Sequence, residues 1–158
     1  MKRNLPALIA LLLILTLLSA CGGTGVKPLP SGAELEKSLV DAGIFSEELE
    51  SVDADIAAYL YGLTEAEGVE IVSWYSSSGG TAEEVTLFYC QDDAVLKTVR
   101  ESADARLDFQ KRTYADYAPA EVPKLEGAVV RVRDRVLVVC VAADPEKAAK
   151  LLSPYFPA

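Results

Sequence analysis

The chain contains no histidine. This removes the commonest general base and the commonest ligand of transition metals. A His-dependent triad and a His-rich zinc site are both excluded. Basic residues are also scarce: 15 Lys and Arg stand against 24 Asp and Glu, a formal net charge of −9. Such acidity argues against nucleic acid and against docking on anionic lipid head groups. It fits a solvated surface or a basic partner. Long apolar runs are absent as well. The run from Leu5 to Ala20, about 16 residues or ~24 Å as a helix, falls short of the ~20 residues a spanning helix needs.

Cysteine occurs three times. Cys21 is set apart by its position. Lys2 and Arg3 form a basic start, Leu5 to Leu18 is almost wholly apolar, and Leu18-Ser19-Ala20-Cys21 closes the run. The charged, apolar, small-residue order is that of a secretory signal. An ordinary signal would end in an A-x-A-like site; here a thiol follows the small residues, which resembles the bacterial lipobox. That resemblance implies a diacylglyceryl group on the Cys21 sulfur and cleavage before Cys21. Two acyl chains anchor stably where one binds marginally. Gly22-Gly23 leaves nothing to pack a core around Cys21. The expected location is the outer face of the cytoplasmic membrane, with lipid on Cys21 as the membrane contact.

Cys90 and Cys140 remain. Outside the membrane they are the candidate disulfide pair. The other reading is two buried thiols acting as small hydrophobes, since both sit in apolar strand patterns.

The expected organisation is a signal peptide over 1–20, a flexible tether over 21–30 and one α+β domain over 31–158. Cleavage removes Lys2 and Arg3 and no acid, leaving 13 Lys and Arg against 24 Asp and Glu, a net charge of −11. Ser31-Gly32-Ala33-Glu34 is a capping box that opens a helix carrying Leu35, Leu39 and Val40, with Gly43 beyond its end. Asp53 to Tyr61 predicts a second helix with Ile56, Tyr59 and Leu60 as its apolar stripe. Val69 to Tyr75 and Glu84 to Cys90 read as paired strands around a Ser-Gly loop. Asp92 to Tyr117 is the longest helix, striped by Leu96, Val99, Ala103, Leu107, Tyr114 and Tyr117, with Gln110 in the stripe. Arg100/Asp104 and Asp108/Arg112 are i,i+4 pairs on its outer face.

Ala128 to Arg133 and Val136 to Val141 predict a second hairpin, and Asp144-Pro145 opens a last helix with Pro at its first position. The order is α-α-β-β-α-β-β-α, with a four-stranded antiparallel sheet and packed helices. Val136 to Val141 is apolar on both faces and so needs cover on both. The long helix is expected on one face, and the 31–61 helices or a partner on the other.

Candidate chemistry is thin. Asp92 and Asp93 serve better as helix-start residues than as an acid/base pair. Asp53-x-Asp55 fails as a calcium loop, because Ala57 and Ala58 replace the ligand and Gly it requires. Gly79-Gly80 lacks the context of a phosphate loop. Ser76 to Ser78 have no partner base. No catalytic residue, metal site or cofactor is expected.

The ordered features together resemble a bacterial lipoprotein family known as a domain of unknown function (family 4358), typical of Gram-positive organisms. They are Tyr61-Gly62-Leu63, Glu84-Val85, the helix with Gln110-Lys111, Tyr114 and Tyr117, then Glu126-Gly127-Ala128-Val129-Val130, Val136 to Val141 and Asp144-Pro145. The resemblance covers roughly 50–155 and implies a lipid anchor and a compact α+β domain, with no activity to carry over. The expected function is a lipid-anchored extracytoplasmic binding or protein-interaction domain with an unidentified protein partner. The alternative is a His-free cell-wall hydrolase or transferase using carboxylates.

Overall fold

A computed structural model describes residues 26–157. The segment 1–20 and Cys21 lie outside these residues. Helix α1 (Gly32–Asp41) starts as its capping box demands: the Glu34 N–H donates to Ser31 Oγ, and the Ser31 N–H donates to Glu34 Oε2 at 2.9 Å. Gly43, at φ 65°, turns the chain out of the helix. Strand β1 (Leu49–Val52), α2 (Ala54–Tyr61), β2 (Val69–Ser76), β3 (Glu84–Cys90) and α3 (Asp93–Tyr117) follow. A 3₁₀ turn (Pro119–Glu121) leads into α4 (Val122–Glu126), β4 (Val129–Arg133), β5 (Val136–Val141) and α5 (Pro145–Leu152). Asp92 and Asp144 cap α3 and α5, accepting from the Val95 and Lys147 N–H groups at 2.9 Å.

The class is α+β, but the sheet has five antiparallel strands rather than four, in the order β1-β2-β3-β5-β4. The added strand is β1. Only Leu49 of its four residues is buried, and Glu50 and Ser51 face solvent. Neither an apolar run nor an alternation marks it in the sequence. It forms because Leu49 pairs with Ser76 and Val52 with Ser73 at the edge of β2. Between α3 and β4 lies a further short helix, α4, which the expected order omitted.

Strand parity divides the core into two layers. One holds Ile71, Phe88, Leu137, Val139 and Val141 under α2, α3 and α4, with Val99, Ala103, Leu107 and Leu125 facing them. The other holds Val85, Leu87, Val138 and Cys140 against Leu35 and Leu39 of α1, Ala148 and Leu152 of α5, and Phe156. The doubly apolar strand is therefore an interior strand covered on both faces from within. Its second cover is α1 with α5, while α2 lies on the long-helix side. Burial of large side chains such as Phe88, Phe156 and Leu137 stabilises each layer by roughly 1.5–3 kcal/mol per residue.

The stripe expected on α2 is inverted. Ala57 and Tyr61 are buried, whereas Ile56, Tyr59 and Leu60 face solvent. On α3, Val99, Ala103, Leu107 and Tyr114 are buried as expected, but Tyr117 is exposed. Arg100 pairs with Asp104 at 3.2 Å; Asp108 pairs with Lys111 at 3.4 Å rather than with Arg112.

Candidate functional site

The long-helix layer is not wholly apolar. Tyr61 ends α2, Tyr75 and Glu84 face each other across β2 and β3, and Arg106 and Gln110 sit one turn apart on α3. Glu84 is 1% exposed at its side chain and Arg106 is 11% exposed. Arg106 Nη2 donates to Glu84 Oε2 at 2.8 Å, and the Tyr61 hydroxyl donates to Glu84 Oε1. The guanidinium lies 4.8 Å from the Tyr61 ring centre and 5.3 Å from that of Tyr75. Its Nη1 donates to the Leu60 carbonyl at the end of α2. Both carboxylate oxygens of Glu84 are thus occupied, and one side chain ties α2 and α3 to the sheet.

The electrostatics lock this arrangement. Burial, followed by the Glu84 charge, holds the Tyr61 phenol well above its ordinary range. The same two causes push Tyr75 up to about 12. Burial disfavours charge on Arg106, but Glu84 outweighs it and the guanidinium is held above its ordinary value. Tyr75 Oη, Arg106 Nε and Gln110 Oε1 are buried without a hydrogen-bond partner among the described residues. Such groups cost about 1–3 kcal/mol each, so the cluster retains unspent polar capacity inside the core.

A second cluster closes the same end of the sheet. Glu83, fully buried at its side chain, accepts from the Ser46 N–H and hydroxyl and from Lys124 Nζ at 3.0 Å. Lys124 also meets Glu121 at 3.0 Å, and Glu121 accepts from the Ala82 N–H. Burial works against the ammonium, yet the two carboxylates raise Lys124 above its ordinary value. Lys124 Nζ is 3.3 Å from Ser46 Oγ. A Ser–Lys nucleophile needs a neutral lysine, and this one is held charged. Glu47 accepts from Ser76 and Ser78, so those serines do have a carboxylate partner, supplied from a distant loop. These hydrogen bonds hold Glu47 below its ordinary value. A carboxylate so stabilised is a poor proton acceptor.

The remaining sequence candidates separate. Cys90 and Cys140 are free, buried thiols in opposite core layers, Cys90 under the long helix and Cys140 toward α1 and α5. Asp92 caps α3, with Asp93 in its first turn. Among the described residues there is no group of three or more His, Cys, Asp or Glu able to hold a metal. A shallow apolar depression of about 240 Å³, lined by Ala66, Glu67, Ala94, Val95, Thr98 and Val99, lies away from both clusters. Sequence reasoning missed Arg106. Its signal was polar residues at i and i+4, Arg106 and Gln110, flanking the α3 stripe, with one acid, Glu84, entering an apolar strand.

Comparison with known proteins gives a family model that matches residues 42–142, described as a domain of unknown function (DUF4358). The chain belongs to the DUF4358 family. The matched DUF4358 segment runs from the end of α1 to just past β5, so it takes in all five strands and both polar clusters. All of α1 and all of α5, which cover the second face, fall outside it. No curated protein and no solved structure matches the chain.

The buried acids make alkaline stability a test of this core. Burial, then the charges of Glu84 and Glu83, pushes the Cys140 thiol up to about 12. In an unfolded chain a thiol titrates near ~8.5 and a phenol near ~10. Both folded values, for Cys140 and Tyr75, are raised. Their contribution is therefore complete below the unfolded values and is lost as pH climbs toward the folded ones. Urea midpoints should fall steadily above about pH 8.5, and Cys140→Ala should flatten the first part of that fall. A level profile well above pH ~10 would contradict these burials.

Proposed function

We propose that this chain is a lipid-anchored extracytoplasmic lipoprotein whose domain engages a protein partner through α2 and the adjoining flank of α3. The anchor reading rests on Leu18-Ser19-Ala20-Cys21 after a short apolar run. The interaction reading is carried by one observation. Ile56, Tyr59 and Leu60 form a helical i, i+3, i+4 stripe that faces solvent, 52%, 74% and 40% exposed. Phe109, 61% exposed, lies one turn beyond Arg106, whose guanidinium meets the Leu60 carbonyl. Scattered exposed apolar residues are ordinary, but a stripe of large ones with a neighbouring aromatic marks a contact surface.

Asp53 and Asp55 at the start of α2 and Glu65 and Glu67 beyond it give the stripe an acidic border. That border complements a partner with apolar contacts and a basic rim. The doubly apolar strand adds nothing to this reading, since both its faces are covered from within. The carboxylate-enzyme reading gains no support either: Glu83, Glu84 and Glu121 are each committed to a cation or a backbone N–H.

A photo-crosslinking residue at position 59, expressed in intact cells, tests the surface. A discrete adduct should form there, weaken several-fold when Phe109 is changed to Ser, and be absent with the same residue at Lys37 on α1. Equal labelling at 59 and 37 would refute the assignment.

A further inference from the structure

We propose that the edge of the sheet beside the tether is a membrane-facing surface that meets anionic lipid head groups and sets the orientation of the domain. This rests on the lipid anchor at Cys21.

Three observations carry it. The first is the reach of the chain. The first described residue, Val26, is five residues from Cys21, at most about 17 Å fully extended. Lys27 is already fixed on the domain: its N–H donates to the Pro154 carbonyl at 2.7 Å, and its ammonium lies 5.8 Å from the Tyr155 ring centre. Whatever carries Lys27 is held close to the bilayer.

The second is the charge at that place. Arg133 donates to the Lys27 and Tyr155 carbonyls and Arg131 to the Phe156 carbonyl, so the β4 arginines pack beside the tether. Arg135 occupies the β4–β5 turn and donates to the Gln91 carbonyl. The acid here, Asp134, pairs with Arg133 at 3.5 Å. Lys27, Arg131 and Arg135 make no ion pair among the described residues. In a chain with 24 Asp and Glu, Lys27, Arg131, Arg133 and Arg135 gather here around one paired acid, Asp134.

The third is the distribution of the acids. Asp92 and Asp93 follow Gln91, whose carbonyl Arg135 holds, and so border the β4–β5 turn on its β3 side; Glu70 lies farther off, on β2. The acidic border of α2 is on the opposite face, in the long-helix layer, whereas Lys27 meets Pro154 and Tyr155 on the α1–α5 side. An anionic leaflet attracts cations within a Debye length of ~8 Å and repels the acidic bulk. The tether supplies the proximity, and the two forces together turn the β4 edge toward the membrane. Net acidity, which argued against lipid docking for the chain as a whole, becomes the repulsive half of an orienting device. The Ile56–Tyr59–Leu60 stripe is then presented away from the bilayer.

The test uses the full lipid-anchored protein on vesicles. Cys90 and Cys140 are buried, so a single introduced thiol takes a fluorophore. Two neutral positions are compared, Ser153→Cys near the tether and Tyr59→Cys on the stripe, with a head-group-attached quencher. On vesicles holding about 30 mol % phosphatidylglycerol, the label at 153 should be quenched several-fold more than that at 59. The difference should collapse in about 0.5 M salt, on pure phosphatidylcholine, and in the Lys27→Gln/Arg135→Gln variant.

Equal quenching at the two positions on anionic vesicles would overturn the proposal. So would a difference indifferent to salt, or one seen only in native membranes, which would point to a protein contact. Flotation reads the anchor separately: a chain that does not float with vesicles has failed the anchor reading rather than this one.

Discussion

Placing Asp at Val138, or separately at Val139, should destabilise the domain by several kcal/mol and leave little folded protein. Both valines are fully buried, and they point to opposite layers of the core. Val138 lies with Leu35, Leu39, Leu152 and Phe156, and Val139 with Phe88, Val99 and Ala103. A new carboxylate at Val138 would enter an apolar layer, and one at Val139 a layer whose buried cation, Arg106, is already held by Glu84. Circular dichroism melts of the full chain should show loss of the cooperative transition in both variants. If Val138→Asp folds normally while Val139→Asp does not, then α1 and α5 do not cover the second face.

Arg106→Leu should cost about 3–5 kcal/mol, because it leaves the Glu84 carboxylate buried without its cation. The loss should be strongly non-additive. Replacing the whole group, as Arg106→Leu with Glu84→Leu and Tyr61→Phe, removes the charge and its donors together. That triple variant should be more stable than Arg106→Leu alone, as buried ion pairs exchanged for apolar groups commonly are. Urea unfolding of the two variants measures both values. A cost below ~1 kcal/mol for Arg106→Leu would mean that Glu84 reaches solvent, as an exposed ion pair would allow.

These two tests address what was hardest to read in the chain. The strands β2, β3, β4 and β5 announce themselves through β-branched and aromatic runs, and the starts of α1, α3 and α5 through local capping chemistry at Ser31, Asp92 and Asp144. Both signals are confined to a few consecutive residues. β1 carries neither, and exists only because β2 offers it an edge. The α2 stripe misled for a related reason. Ile56, Tyr59 and Leu60 have the spacing and size of a core face, but α2 packs so closely that Ala57 fits beneath it, and Tyr61 is directed inward by Glu84.

The polar clusters were illegible because their members come from distant segments. Glu84 and Arg106 lie on different elements, and Glu47 reaches Ser76 and Ser78 from across a loop. The proposed lipid signal at Cys21 is the opposite case: it rests on a short linear string, Leu18-Ser19-Ala20-Cys21, that is read without the fold.

The proposed extracytoplasmic setting of the α2 surface and the proposed membrane-facing β4 edge both depend on a lipid at Cys21. The most direct measurement is the mass of the N-terminal peptide of the mature protein, taken from membrane extracts. The account predicts a peptide that begins at Cys21 and carries a diacylglyceryl group. An unmodified Cys21 with residues 1–20 still attached would contradict it.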